Sequence, residues 1–168
     1  MVTIMHYKGV EVERPRQAPS AKNAERQLQT AILDKVLTLN DIEAPQDLVD
    51  HELTLMVIEH THRLKYESMS TGGSYDFMQE DVAELLESFR EEAFKLVKTR
   101  LVIQGIIEAE NFEVTKAELE EEAKIIALRQ QISLEMVKDF LGEDFESLKE
   151  DLLVRKAFDC IYAHAVIN

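Results

Sequence analysis

Residues 77–109 decide the fold, and they read FMQEDVAELLESFREEAFKLVKTRLVIQGIIEA. Apolar side chains recur in this stretch at intervals of three and four residues, which is the spacing of one face of an α-helix. Its only helix-breaking residue is Gly105, close to the end. The pattern therefore predicts one helix from Phe77 to about Ala109, and ~30 residues at ~1.5 Å each make it roughly 45 Å long.

Helices are also predicted on both sides of this long one, because the 168 residues include only five glycines and three prolines. Apolar spacing and helix-end signals place them at about Ala21–Leu39, Pro45–Ser68, Thr115–Gln131, Leu134–Leu141 and Phe145–Val166. Residues 1–19 differ, since Val10 and Val12 alternate with glutamates and two prolines follow. We interpret residues 1–19 as an extended, linker-like lead-in and residues 20–168 as a helical domain.

Two helix starts carry capping signals. Thr115 and Glu118 form an S/T-x-x-E capping box, and the apolar residues on either side of the box are placed to form a hydrophobic staple across it. Asp76 and Gln79 resemble a second capping pair, at the start of the long helix. The predicted class is therefore all-α: an elongated multi-helix domain with a long central helix, protruding helical arms and a short extended N-terminal lead-in.

Composition and charge exclude several classes of partner. Apolar residues make up 45% of the chain, so a folded core is expected, while 33 acidic against 19 basic residues give a net charge of −14. Such a surface repels nucleic acids and anionic membranes. The single cysteine, Cys160, permits no internal disulfide, and no apolar run is long enough to cross a membrane. These features predict a cytoplasmic protein without nucleic-acid or membrane partners.

Metal motifs are incomplete. His51-Glu52 begins a zinc-protease H-E-x-x-H pattern, but the second ligand position is occupied by Leu55. Glu59 and His62 make one Glu-x-x-His pair of the kind that di-iron bundles use twice, and no second pair exists. The pattern is more typical of a solvated helix face than of a metal site, and a metal enzyme on this pair is the remote alternative.

Nucleophile and phosphate motifs are equally weak. Cys160 and His164 lie one helical turn apart, yet the cysteine stands beside Ile161 on an apolar helix, where a buried inert thiol is usual. Gly72-Gly73 lacks the Lys-Ser or Lys-Thr of a phosphate-binding loop. The sequence predicts neither an enzyme nor a bound cofactor.

Several apolar residues on the predicted helices belong to none of the catalytic or metal-binding motifs considered above. Flexible methionines and aromatic residues suit a surface that accepts polypeptides of many shapes, although packing of helix on helix explains the same residues. The segment after Gln131 is the preferred candidate, since residues 136, 137, 140 and 141 follow helical spacing. The predicted client-binding residues are Met56, Ile126, Met136, Val137, Phe140, Leu141 and Phe145.

Several stretches, taken in order, resemble the C-terminal, substrate-cradling domain of trigger factor, the bacterial ribosome-associated chaperone. They are residues 39–49 (LNDIEAPQDLV), 89–93 (FREEA), 100–107 (RLVIQGII), 111–115 (NFEVT) and 148–157 (LKEDLLVRKA). Their order and spacing carry the resemblance, which covers about Ala24–Ile167. Residues 7–15 (YKGVEVERP) also resemble the family's linker that leaves the ribosome-binding domain.

The resemblance implies a holding activity toward unfolded or nascent polypeptides. In full-length members a peptidyl-prolyl isomerase domain follows that linker, whereas here Arg16 to Lys22 lead straight into the first cradle helix, so we expect the isomerase to be missing. The family's ribosome-docking signature, Gly-Phe-Arg-x-Gly-x-x-Pro, is absent as well. Direct ribosome docking is therefore not expected from this chain alone.

The leading hypothesis is an ATP-independent chaperone that binds exposed apolar segments of unfolded chains. A helical interaction or dimerisation module without client-holding activity explains the long apolar stripe equally well, and a homodimer is compatible with either.

The predicted length of the central helix makes the particle's shape a test. A compact domain of this chain length has a radius of gyration of roughly 15 Å. A rod of roughly 45 Å outruns such a globule, so small-angle scattering is expected to give a clearly larger value. A radius near the compact expectation would contradict the elongated arrangement.

Overall fold

The computed structural model describes Ile4 and residues 6–14, 20–72, 79–142 and 144–168, with residues 79–81 described by their backbone alone. Its elements in chain order are strand β1 (Glu11–Val12), helices α1 (Ala21–Leu39), α2 (Gln46–Ser70), α3 (Gln79–Glu110), α4 (Lys116–Gln130), α5 (Leu134–Leu141) and α6 (Glu146–Ala163), and strand β2 (Val166–Ile167). The predicted all-α class is confirmed, and so is the long helix, which is α3 with 32 residues. Its predicted start at Phe77 and the Asp76 cap lie outside the described residues.

The ends of α3 and α4 use the same left-handed stop. Asn111 follows α3 with a φ of 52°, and the N–H of Phe112 returns to the carbonyl of Ile107 at 3.2 Å. Gln131 follows α4 with a φ of 56°, and the N–H of Ile132 returns to the carbonyl of Ala127 at 3.0 Å. These bonds satisfy carbonyls that a helix end leaves without partners, so each helix ends sharply without a glycine.

The end of the chain differs from the prediction. Helix α6 ends at Ala163 rather than near Val166, and β2 pairs in parallel with β1, with Glu11 opposite Val166 and Val12 opposite Ile167. Backbone N–H groups of the last residues donate to the lead-in, Val166 to Val10 at 2.9 Å and Asn168 to Val12 at 3.0 Å. A two-residue strand has no sequence pattern of its own, because its partner lies at the other end of the chain.

The described part of the lead-in is packed into the fold. Ile4, Val10 and Val12 are buried, and the Asn40 side chain donates to the carbonyl of His6 at 2.9 Å while accepting from the His6 N–H at 3.2 Å. These bonds join the C-terminal end of α1 to the lead-in. The division of the chain at residue 19 stays a prediction.

Two compact units divide the chain. Unit one comprises residues 1–40 and 103–168, and unit two comprises residues 41–102. In unit one, α4, α5 and α6 enclose a buried cluster of Leu119, Ala123, Ala127, Val137, Phe145, Leu148 and Leu152. In unit two, α2 packs against the first part of α3, and the buried cluster consists of Val49 and Leu53 of α2, Ala93 and Val97 of α3, and Ala44 from the segment before α2.

The predicted capping box of α4 is present and is tied to α6. The Thr115 hydroxyl accepts from the N–H of Glu118 at 3.3 Å, and the Glu118 carboxylate accepts from the N–H of Thr115 at 2.8 Å. Lys156 of α6 lies 2.6 Å from the same carboxylate and also donates to the carbonyl of Glu113 at 2.7 Å. One turn further along α4, Arg155 donates two bonds to Glu122, at 2.8 and 2.9 Å.

The Glu118 carboxylate makes the stability of the fold depend on pH. The ammonium of Lys156, followed by the backbone and hydroxyl of Thr115, lowers the pKa of Glu118 from 4.5 to about 2. A carboxylate whose pKa is lower in the folded state contributes stability above its unfolded pKa, and this contribution is lost as the pH falls from 4.5 to about 2. We expect Glu118→Gln to lower the free energy of unfolding at pH 7 and to have little effect at pH 2, as measured by urea titration.

The control for this experiment is Glu121→Gln, which removes an exposed carboxylate three residues further along α4. It should leave the dependence of stability on pH close to that of the unmodified chain. An equal loss of stability at pH 7 and pH 2 in Glu118→Gln would show that the side chain acts through packing and not through its charge.

Candidate functional site

The structure divides the seven predicted client-binding residues by burial. Val137 and Phe145 are 1% and 5% exposed and belong to the core of unit one. Ile126 and Leu141 are half-buried and pack against that core. Met136 and Phe140 are 46% and 77% exposed. A buried side chain cannot touch a client unless the core opens, so the available surface on α5 narrows to these last two residues.

Met56, the seventh residue, belongs to unit two. It is half-buried and packs against the core between α2 and α3. It also lines a shallow cavity of about 290 Å³ together with His60, Arg63 and Phe89. The ring of His60 meets that of Phe89 edge to face at 5.4 Å, so Met56 lies beside packed rings and not on an open apolar face.

The local structure of α5 explains this division. Ser133 caps the helix by accepting the N–H of Met136 at 3.2 Å, and this fixes the start of only two helical turns. Leu134, Val137 and Leu141, at intervals of three and four, form the stripe that faces the core. Met136 and Phe140 are four residues apart and are therefore neighbours on the surface of the helix. We call this pair the α5 surface.

Sequence reasoning missed a second set of exposed apolar residues, along α2. At ~100° per residue they fall within about 80° of one side of the helix, away from the core positions Val49 and Leu53. The sequence does contain a pattern that could have indicated this set, namely a second series of apolar residues at intervals of seven, three, eight and three. Its members are Leu48, Leu55, Ile58, Tyr66 and Met69, all exposed, and we call them the α2 stripe.

Other exposed apolar side chains lie near the ends of helices and on α3. Leu128, close to the C-terminal end of α4, is 81% exposed. In unit two, Phe94 is exposed on α3 and lines a cavity of about 490 Å³ with Val49 and Arg90. Large apolar groups are therefore accessible in each unit.

The Cys160–His164 pair lies at the junction between the lead-in and the end of α3. The Cys160 sulfur is 3.8 Å from Nδ1 of His164, and that nitrogen is only 2.8 Å from the carbonyl of Cys160. Burial raises the pKa of the Cys160 thiol, and the carboxylate of Glu110 raises it further. A raised pKa keeps the thiol protonated, whereas an activated nucleophile needs the thiolate.

Glu110 is held by the lead-in. The Tyr7 hydroxyl donates to it, and Nζ of Lys8 lies 2.5 Å from the same oxygen. Lys8 and then Tyr7 lower the pKa of Glu110, while burial and Glu110 together raise the pKa of Tyr7 to about 12. The cluster thus fastens the lead-in to α3 and holds each group in its ordinary protonation state at neutral pH.

No group of three or more His, Cys, Asp or Glu side chains suited to a metal ion occurs among the residues that the structure describes. Within the same ranges, every helix is too short or too polar to span a lipid bilayer.

Thiol reactivity tests the assignment of Cys160 to a structural role. At pH 8 the folded protein is expected to react with iodoacetamide more slowly than the same chain unfolded in urea, because its thiol has a raised pKa and is partly covered. Mass spectrometry measures both rates on the one cysteine. A folded protein that reacts faster than the unfolded chain would instead indicate an activated nucleophile.

Comparison with known proteins gives consistent matches. Residues 15–163 match the family model for the C-terminus of bacterial trigger factor. Trigger factor of Anoxybacillus flavithermus is 32% identical over 146 residues, 87% of this chain and 34% of that protein. Trigger factor of Bacillus pumilus is 35% identical over 136 residues, 81% of this chain and 32% of that protein. The chain therefore spans about a third of the length of these relatives.

The fold also matches a solved structure. A trigger factor structure from Thermotoga maritima superposes with a TM-score of 0.54 and 18% sequence identity, covering 96% of this chain and 93% of the other. At this level of identity the likeness concerns the fold alone.

Proposed function

The chain belongs to the bacterial trigger factor C-terminal family, and from this premise we propose that it is a chaperone module that holds exposed apolar segments of unfolded or nascent polypeptides. Holding would need no ATP, because many weak and reversible apolar contacts suffice to retain a client. We place this activity in the cytoplasm, where nascent chains are available. The proposal assigns no enzymatic step to the chain.

The observation that carries the proposal is that large apolar side chains form surfaces outside both cores. The α5 surface presents Met136 and Phe140, and the α2 stripe runs from Leu48 to Met69. Flexible methionine and planar aromatic side chains adapt to clients of different shape, which suits a binder without a fixed sequence preference. The net charge of −14 would keep a loaded complex in solution by mutual repulsion.

A second candidate, a helical dimerisation module, is favoured by the α2 stripe in particular. The stripe follows one side of a single helix over most of its length, as in helix-to-helix recognition. A homodimer that buries the stripe would remove it from the client surface. Measuring the solution mass of the unmodified chain and of Leu55→Ser with Ile58→Ser discriminates the two, since a dimerisation seam predicts that the variant becomes monomeric.

The α5 surface is tested by Met136→Ser combined with Phe140→Ser. Both side chains are exposed, so we expect the melting temperature and helicity to change little while suppression of the aggregation of an unfolded client becomes weaker. Light scattering of a chemically denatured client diluted into buffer measures suppression, and circular dichroism measures the fold.

A matched stability control is Leu148→Ala, which truncates a buried residue of the neighbouring core and should cost ~2 to 5 kcal/mol. If the serine variant loses stability on that scale, the two residues belong to the core and the assignment of the α5 surface is wrong. If stability and suppression are both unchanged, clients are held elsewhere, and Leu55→Ser with Ile58→Ser then tests the α2 stripe.

A further inference from the structure

A groove with an unusual lining lies in unit one between α4, α5 and the start of α6. Its volume is about 590 Å³. Apolar side chains of Leu119, Leu134 and Phe145 line it, and these same residues belong to or pack against the core. The apolar part of the lining is therefore held in place by the packing of three helices.

Lysines form much of the polar lining of the groove. Lys116, Lys124, Lys138 and Lys149 all border the groove, which is a concentration of positive charge in a chain with 19 basic and 33 acidic residues. Among the residues that the structure describes, three carboxylates border it, from Glu120, Asp144 and Glu146. The described lining therefore has four ammonium groups against three carboxylates, whereas acidic residues outnumber basic ones in the chain as a whole.

Three of these four lysines are available to pair with a bound ligand. Lys149 lies 3.5 Å from Glu146, an ion pair within the first turn of α6. Lys116, Lys124 and Lys138 are exposed and form no ion pair or hydrogen bond with any part of the chain that the structure describes. Three free ammonium groups beside an apolar lining provide both kinds of contact that an amphipathic acidic segment needs.

We propose that this lysine groove binds client segments in which apolar side chains alternate with aspartate or glutamate. The inference rests on the proposed function and adds a preference for one chemical class of client. An apolar side chain of the segment would pack against Leu119 and Leu134, and its carboxylates would pair with Lys116, Lys124 and Lys138.

Charge complementarity selects this occupant over others. A segment rich in lysine would be repelled by the ammonium groups, and a purely apolar one would cover them without providing a partner for their charge. An acidic client is repelled at long range by the net charge of −14, so only a local concentration of ammonium groups gives it a place to bind. The groove is distinct from the α5 surface, since neither Met136 nor Phe140 lines it.

The experiment measures binding of a short fluorescein-labelled peptide in which leucine alternates with glutamate, by fluorescence anisotropy on the full chain. Lys124→Gln combined with Lys138→Gln should raise the Kd by about tenfold, about threefold for each exposed charge pair. A peptide with glutamine in place of glutamate loses all three charge pairs, so it should bind the unmodified chain about thirtyfold more weakly and should not respond to the lysine variant. Added salt should weaken only the acidic peptide.

A matched control is Lys22→Gln combined with Lys65→Gln, which removes the same charge from exposed lysines of α1 and α2 outside the groove. Its Kd for the acidic peptide should stay within about twofold of the unmodified value. A control variant as weak as the groove variant, or a glutamine peptide that binds as tightly as the glutamate one, would overturn the proposal. Because the altered lysines are exposed, melting curves should confirm that both variants remain folded.

Two further outcomes separate this proposal from the proposed function. If the chain suppresses aggregation but shows no preference for the acidic peptide, the groove is rejected and the holding function stands. If the acidic peptide binds in the groove but no client is held, the holding function fails. A dimer of the chain alone that dissociates in the Lys124→Gln and Lys138→Gln variant would make a second copy the occupant and overturn the client assignment.

Discussion

The packing of α2 against α3 is the constraint on which the exposed surface of unit two depends. Ala93 is completely buried and Val97 nearly so, and both meet Val49 and Leu53 along one seam. A small side chain at position 93 lets two helices approach closely, and Arg100 closes the seam by pairing with Glu52 at 3.1 Å. Two helices can bury only the stripes that face each other, so any second apolar stripe on either helix stays in solvent.

In unit one, a third helix buries apolar surface that two helices would leave exposed. The short α5 lies against α4 and α6, and the inward stripe of Leu134, Val137 and Leu141 completes a core that neither longer helix could close alone. Eight residues are too few for a stable isolated helix, so α5 depends on the Ser133 cap and on this packing. Its other large apolar residues, Met136 and Phe140, are exposed because they point away from α4 and α6, the helices against which α5 packs within the described part of unit one.

Helix positions could be predicted from the sequence because they depend on local spacing and capping. The bounds Ala21–Leu39 and Leu134–Leu141 agree with the prediction, and the Thr115 box is present as its pattern requires. The rotation of each helix about its own axis was harder to predict from the sequence. On α5, helical spacing predicts that residues 136, 137, 140 and 141 share one face. In the structure, Val137 and Leu141 face the core together with Leu134, whereas Met136 and Phe140 are exposed.

Other features could not be predicted from the sequence, because each depends on contacts between residues that are distant in sequence. The pairing of β1 with β2 joins opposite ends of the chain, and four lysines meet in one groove although they are spread over residues 116–149. Helical spacing alone cannot show that Lys116 and Lys149 border the same cavity. Packing therefore decides where such a chain carries its positive charge: the composition makes the chain acidic on average, and the arrangement of α4, α5 and α6 gathers four of its basic residues around one cavity.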